Sequence, residues 1–139
     1  MSTPQAELTT VSEVALALDS FPVVEPRTYL KVALERMEQF RLGVVCICDA
    51  EDTLLGVLTD GDLRRKVLHI QKPFSALFSD DVIIHSVQSA TTVAPDSLLT
   101  DAVKLMGEKR IWDLPVTTSE GKLVGLLHLH PAIEAVLNQ

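Results

Sequence analysis

Apolar residues along the chain switch between two periods. Val44-Val45-Cys46-Ile47-Cys48-Asp49 is a short apolar run, of the length and composition of a strand. Ala50-Glu51-Asp52-Thr53 supplies turn residues, and Leu54–Leu58 reads as a second strand, so the two predict a hairpin. Just upstream, Tyr29, Leu30, Ala33, Leu34, Met37 and Phe40 recur at helical spacing. They predict an amphipathic helix with Thr28 as N-cap and Gly43 as its stop. Phe21–Val24 is a short extended piece ended by Pro26, and Thr59 or Asp60 caps a helix through Leu63, Arg64 and Val67.

The same order returns in the second half. Thr91–Val93 is extended, and Ser97 caps a helix bearing Leu98, Leu99, Ala102, Val103, Leu105 and Met106. Strand Leu114–Thr117, turn Thr118-Ser119-Glu120-Gly121, strand Leu123–Leu127 and a helix over Ala132–Leu137 follow. A gapless shift of 69 places, the distance from Pro26 to Pro95, superposes the halves. Val24 falls on Val93, Leu30 on Leu99, Ala33 on Ala102, Met37 on Met106, Arg41 on Arg110, Gly56 on Gly125 and Leu58 on Leu127. Chance matches do not keep one register over about forty residues, so the chain carries an internal duplication. The predicted fold class is α/β, two pseudo-symmetric β-α-β-β-α repeats. A repeat of about 45 residues cannot bury its sheet alone, so the two are expected to pack face to face. Residues 12–69 form the first repeat, with a leading helix over Val14–Leu18 capped by Ser12, and 91–137 form the second. Residues 70–90 are a connector holding a short helix at Phe74–Phe78, and Asp80–Ala90 receives no assignment.

Composition narrows the function. The 139 residues carry a net charge of −7 with 47% hydrophobic and only 4% aromatic residues. An acidic chain lacks the basic face that nucleic acid or an anionic membrane surface requires, so neither is an expected partner. No apolar run approaches the roughly 18 residues of a membrane span. The first seven residues lack the basic start and apolar core of a signal peptide. Cys46 and Cys48 share one strand face, a poor geometry for a disulfide, and they read as small buried residues. The expected location is cytoplasmic.

The duplicated pattern, together with Leu54-Leu55-Gly56-Val57-Leu58-Thr59-Asp60-Gly61-Asp62-Leu63-Arg64-Arg65, Leu114-Pro115-Val116 and Leu123-Val124-Gly125-Leu126-Leu127-His128-Leu129-His130, resembles a known arrangement. It is similar to a tandem pair of cystathionine-β-synthase-type (CBS) domains, a Bateman module, over about Ser12 to Val136. The Thr-Asp-Gly-Asp-Leu-Arg-Arg and His-Leu-His strings further resemble the regulatory tail of bacterial arabinose-5-phosphate isomerases of the Kdo pathway. Similar strings occur in pairs fused to sugar nucleotidyltransferases. The resemblance implies a regulatory module without catalysis of its own. It would bind a nucleotide or nucleotide-sugar, an adenine nucleotide or CMP-Kdo, in the cleft between repeats. Its implied partners are a sugar-isomerase domain in cis or in trans and a second copy of itself. No isomerase domain fits before Ser12, so the chain is a free-standing pair or the regulatory part of a longer enzyme. The competing reading is a dimerisation scaffold that binds nothing.

Thr59-Asp60-Gly61-Asp62 lies where a strand ends and a helix begins, a place where unpaired N–H groups and the helix dipole favour an anion. In the family that it resembles, a Ser/Thr three places before an Asp supplies a hydroxyl to phosphate and a carboxylate to ribose. Thr59 and Asp62 match that pattern, and Arg64 and Arg65 add charge-assisted donors. The plain alternative is that Asp60 and Asp62 only stabilise the helix start, with Arg64 and Arg65 solvated. The shift of 69 puts His128 and Pro131 at the positions of Thr59 and Asp62, so the second repeat loses the ribose clamp and the two sites are expected to be unequal. His128 and His130, read as sharing a strand face, remain candidate ligand contacts with Val45, Pro115 and Trp112. Two imidazoles alone do not make a metal site, and neither metal nor cofactor is expected. Trp112 is read as a stacking residue, a dimer anchor or a partly buried packing residue. His69 and His85 receive no role.

Overall fold

Backbone pairing, more than side-chain caps, decides where the helices begin. The computed structural model describes residues 9–138. Helix α1 runs Leu30–Phe40 and buries Leu30, Ala33 and Met37, as the periodicity predicts. Its N-cap is Tyr29, with no side-chain cap, in place of the expected Thr28. The start is held from outside: Leu30 N–H donates to Asp80 O at 2.9 Å, and Val82 N–H donates to Thr28 O at 2.8 Å. Arg41, at φ 53°, ends the helix in the left-handed region two residues before Gly43.

The chain divides into two units, one spanning Asp19–Ala90, the other joining the residues through Leu18 to those from Thr91 onward. In the Asp19–Ala90 unit, β1 (Val23–Val24) pairs in parallel with β2 (Val44–Cys48), which pairs antiparallel with β3 (Leu54–Thr59). Asp49 shapes the hairpin turn, its carboxylate accepting from Glu51 N–H at 2.9 Å and Thr53 N–H at 3.0 Å. Helices α2 (Asp60–His69), α3 (Phe74–Phe78) and α4 (Val82–His85) complete this unit. Its core joins Leu30, Ala33 and Met37 to Val45, Ile47 and Leu58, closed by Leu77 and Val82 from the connector.

The other unit repeats the plan with α5 (Leu99–Lys109), β4 (Asp113–Thr117), β5 (Leu123–His128) and α6 (Leu129–Leu137). Its sheet has two strands, and the expected strand at Thr91–Val93 contributes a single parallel bridge, Val93 to Val116. Leu98, not Ser97, is the N-cap of α5, and Leu99 N–H donates to Thr9 O at 2.8 Å. The leading segment is a 3-10 turn at Val11–Glu13 rather than a Ser12-capped helix over Val14–Leu18. Thr10 N–H donates to Glu13 Oε2 at 2.7 Å, and Leu16 is held extended by backbone exchange with Leu126. That exchange removes Leu16 from any helix.

The unassigned connector proves to be the counterpart of this leading segment. Asp80–Val87 does for one unit what Thr9–Leu16 does for the other. Val82 and Val11 are fully buried, Tyr29 bridges Asp81 as Leu98 bridges Thr10, and Val57 bridges Val87 as Leu126 bridges Leu16. Gly56 and Gly125 admit the two segments: a Cβ at Gly56 would lie 2.6 Å from Ser86 Oγ, and one at Gly125 3.0 Å from Leu16 O. Among the described residues no helix is long and apolar enough to cross a membrane.

Candidate functional site

Strand β3 delivers Thr59 to the N-cap of α2 in an extended conformation, φ −114° and ψ 165°. A Thr at this position and an Asp three residues on form a reciprocal capping box. Asp62 N–H donates to Thr59 Oγ1 at 3.2 Å, and Thr59 N–H donates to Asp62 Oδ2 at 3.1 Å. The Thr59 hydroxyl also donates to Asp62 Oδ2, at 2.9 Å. Arg65 folds back one turn to place its guanidinium 2.8 Å from Asp62 Oδ1, passing over Gly61. The pair is unequally placed: the Arg65 side chain is 59% exposed, that of Asp62 16%.

Asp60 is exposed and its N–H donates to Gly43 O at 3.0 Å. A Cβ at Gly43 would come within 2.6 Å of Asp60 Oδ2. Gly43 therefore makes room for the helix start of α2 and does not terminate α1. Arg64 is exposed on the outer side of α2. Val45 is fully buried in the core of its unit and offers a ligand no surface.

The remaining candidates belong to the other unit. Pro115 is buried within β4, and its carbonyl accepts from Val93 N–H at 3.0 Å. Trp112 is 69% exposed, which removes the packing reading. Its carbonyl accepts from Leu129 N–H at 2.8 Å, the pairing that Gly43 and Asp60 make in the first repeat. His128 and His130 do not share a strand face. Strand β5 ends at His128 and the chain turns at once into α6, three residues earlier than the pattern predicts. Pro131 fits the first helical turn, where its missing N–H costs nothing. His128 Nδ1 lies 2.7 Å from Asp113 Oδ1, a cross-strand pair, whereas His130 is 79% exposed and lies 3.1 Å from Glu134. Burial pushes the Asp113 carboxyl above its usual range, and the His128 hydrogen bond partly offsets that.

Sequence reasoning placed the connector helix Phe74–Phe78 but gave Asp80–Ala90 no assignment and His85 no role. His85 is buried, its Nε2 2.9 Å from Asp80 Oδ2, and Lys72 Nζ approaches the same oxygen at 2.9 Å. A signal was available: Val11 and Val82 are 71 residues apart, so the flanking segments repeat out of register with the 69-residue shift of the domains.

Comparison with known proteins fits this architecture. Residues 10–69 and 79–135 each match the CBS domain family. Arabinose 5-phosphate isomerase KdsD of Yersinia pestis is 30% identical over 125 residues, 90% of this chain and 37% of the relative. Arabinose 5-phosphate isomerase GutQ of Escherichia coli K12 is 29% identical over 117 residues, 84% of this chain and 35% of the relative. The chain thus spans little more than a third of the length of the curated relatives that it matches. Among solved structures, CBSX2 in complex with AMP is 29% identical with a TM-score of 0.81, covering 93% of this chain and 96% of that one. A CBS domain-containing protein of Bacillus anthracis, 12% identical, shares the fold at a TM-score of 0.84, over 97% of each chain. The chain belongs to the CBS domain family and carries two CBS domains in tandem.

Proposed function

We propose that this tandem CBS pair is a regulatory ligand-sensing module. It binds a nucleotide or nucleotide-sugar, an adenine nucleotide or CMP-Kdo, at the Thr59–Asp62 helix start. It controls a sugar-phosphate isomerase of the arabinose-5-phosphate type in cis or in trans, works as a homodimer in the cytoplasm, and has no catalysis of its own. The observation that carries the reading is the placement of a hydroxyl and a carboxylate 2.9 Å apart at the start of α2. A ribose diol can take the Asp62 carboxylate while a phosphate takes the Thr59 hydroxyl and the helix-start N–H groups. Similarity to CBSX2, whose structure holds AMP, supports the ligand class. Similarity to the isomerases GutQ and KdsD supports the controlled enzyme.

Calorimetry with AMP, ATP, CMP and CMP-Kdo tests the reading. One of them binds, and Asp62→Ala weakens it by at least about tenfold, the equivalent of one lost charge-assisted contact. Tight binding indifferent to both Asp62→Ala and Thr59→Ala overturns the site. The scaffold reading has its own support in the closed Thr59–Asp62–Arg65 network, already satisfied without a ligand. Absence of any thermal shift with the four compounds favours that reading.

A further inference from the structure

Helix α2 buries none of its residues. One of its faces borders a cavity of about 370 Å³ instead, with the connector on the opposite side. Asp62, Arg65, Lys66 and His69 line it from α2, and His85 lines it from α4. The four α2 residues lie at i, i+3, i+4 and i+7, one side of a helix. Two fixed cations and two imidazoles thus face a single carboxylate, on a chain whose net charge is −7. Arg65 already neutralises that carboxylate at 2.8 Å, which leaves Lys66 and His69 for another anion. The cavity's size lies in the range of small-molecule sites.

The second observation is His85. Its side chain is 4% exposed, and Nδ1 is a buried side-chain atom without a hydrogen-bond partner. Nε2 faces the Asp80 carboxylate, which only accepts, so Nε2 carries a proton. In the neutral ring Nδ1 is then an acceptor lacking a donor. Buried polar groups are normally satisfied, so an orphan in the wall of a cavity points to a group that completes it.

We infer that this cavity binds a sugar phosphate. The phosphoryl group lies against Lys66, His69 and the outer edge of Arg65, and the sugar lies against the connector wall, where a small shift of the His85 side chain opens its buried Nδ1 to a sugar hydroxyl. The site shares Asp62 and Arg65 with the proposed nucleotide site and does not rest on that reading.

The test is a titration of the full chain, followed by histidine side-chain NMR, with ribose 5-phosphate, ribose and inorganic phosphate. Ribose 5-phosphate shifts the imidazole signals of His69 and His85 and binds at least tenfold more tightly than either fragment. Lys66→Gln combined with His69→Gln, both at the protein surface, weakens it at least tenfold. Asp62→Asn keeps an acceptor for Thr59 and frees Arg65 of its partner, so it tightens ribose 5-phosphate binding. No binding, equal affinity for the three probes, or an unaffected double variant overturns the inference. So does weaker binding in Asp62→Asn, which would place the probe at the Thr59–Asp62 site instead.

Discussion

Thr59 and Asp62 hold each other at the start of α2 through a reciprocal box, with Thr59 Oγ1 2.9 Å from Asp62 Oδ2 and 3.2 Å from Asp62 N. The groups that a ligand would use are the groups that stabilise the helix without one. Thr59→Ala removes the cap and costs about 1 kcal/mol, whereas Thr59→Ser retains the hydroxyl and costs at most a few tenths. Urea denaturation of the two variants checks this. Equal loss in both would show that the hydroxyl does not matter. Any binding defect in Thr59→Ala has to be measured where the variant remains folded, because α2 itself depends on the cap.

Gly56 and Gly125 occupy equivalent places in the duplication, and both lie under a covering segment. Ser86 Oγ, which would lie 2.6 Å from a Cβ at position 56, is fixed by donating to Ile83 O at 2.8 Å. Gly56→Ala therefore forces the connector away from β3 and costs about 1–3 kcal/mol. Adding Ser86→Gly restores most of it. Gly107 lies inside α5, where a Cβ meets nothing within 4 Å. Gly107→Ala stabilises by about 0.5–1 kcal/mol through helix propensity alone. Thermal melts of the three variants separate the effects, and a neutral Gly56→Ala would refute the close approach.

The duplicated core was legible because its apolar positions are numerous and keep one register. Leu30, Ala33 and Met37, with their counterparts Leu99, Ala102 and Met106, are all buried as the helical stripes require. The flanking segments were not, since Thr9–Leu16 and Asp80–Val87 are too short for a period to emerge. Their meaning comes from backbone pairing with Leu98, Tyr29, Leu126 and Val57, which side-chain chemistry does not announce. For the same reason Thr28 and Ser97 look like caps and are not, because partner carbonyls satisfy the helix starts. At the site, the Thr-x-x-Asp spacing was visible, but the reciprocal box it forms emerges only in the structure. The separation of His128 from His130 was not, because it depends on α6 beginning at Leu129.

Cys48 shows how far burial silences the thiols of β2. Burial first, then the charges of Asp52 and Asp49, pushes its pKa up to about 11. Cys46 is completely buried beside it. At pH 8 neither thiol reacts with iodoacetamide from the native fold at a rate above that of unfolding, since the thiolate is the nucleophile. Alkylation followed by mass spectrometry should show full labelling in denaturant and little without it. Rapid native labelling of Cys48 would contradict the buried position.

Asp80 links the connector to pH. Hydrogen bonds from Lys72 first, then from His85, hold its carboxyl below the ordinary value of 3.8. A carboxyl whose pKa is lower in the folded state stabilises the fold fully above its unfolded pKa. That stabilisation is lost as pH falls through the folded value, where the native state must also take up the proton. Asp80→Asn removes the charge but keeps the backbone carbonyl that receives Leu30 N–H, so α1 retains its start. The variant is less stable than the native sequence at pH 7 and at pH 5, both above the range in which the Asp80 carboxyl takes up its proton. Below the ordinary 3.8 the margin narrows, because the unfolded carboxyl takes up its proton before the folded one does. Denaturation midpoints of both proteins at pH 7, 5 and 3 provide the measurement, and an undiminished margin at pH 3 would exclude the Lys72–Asp80–His85 network as its source.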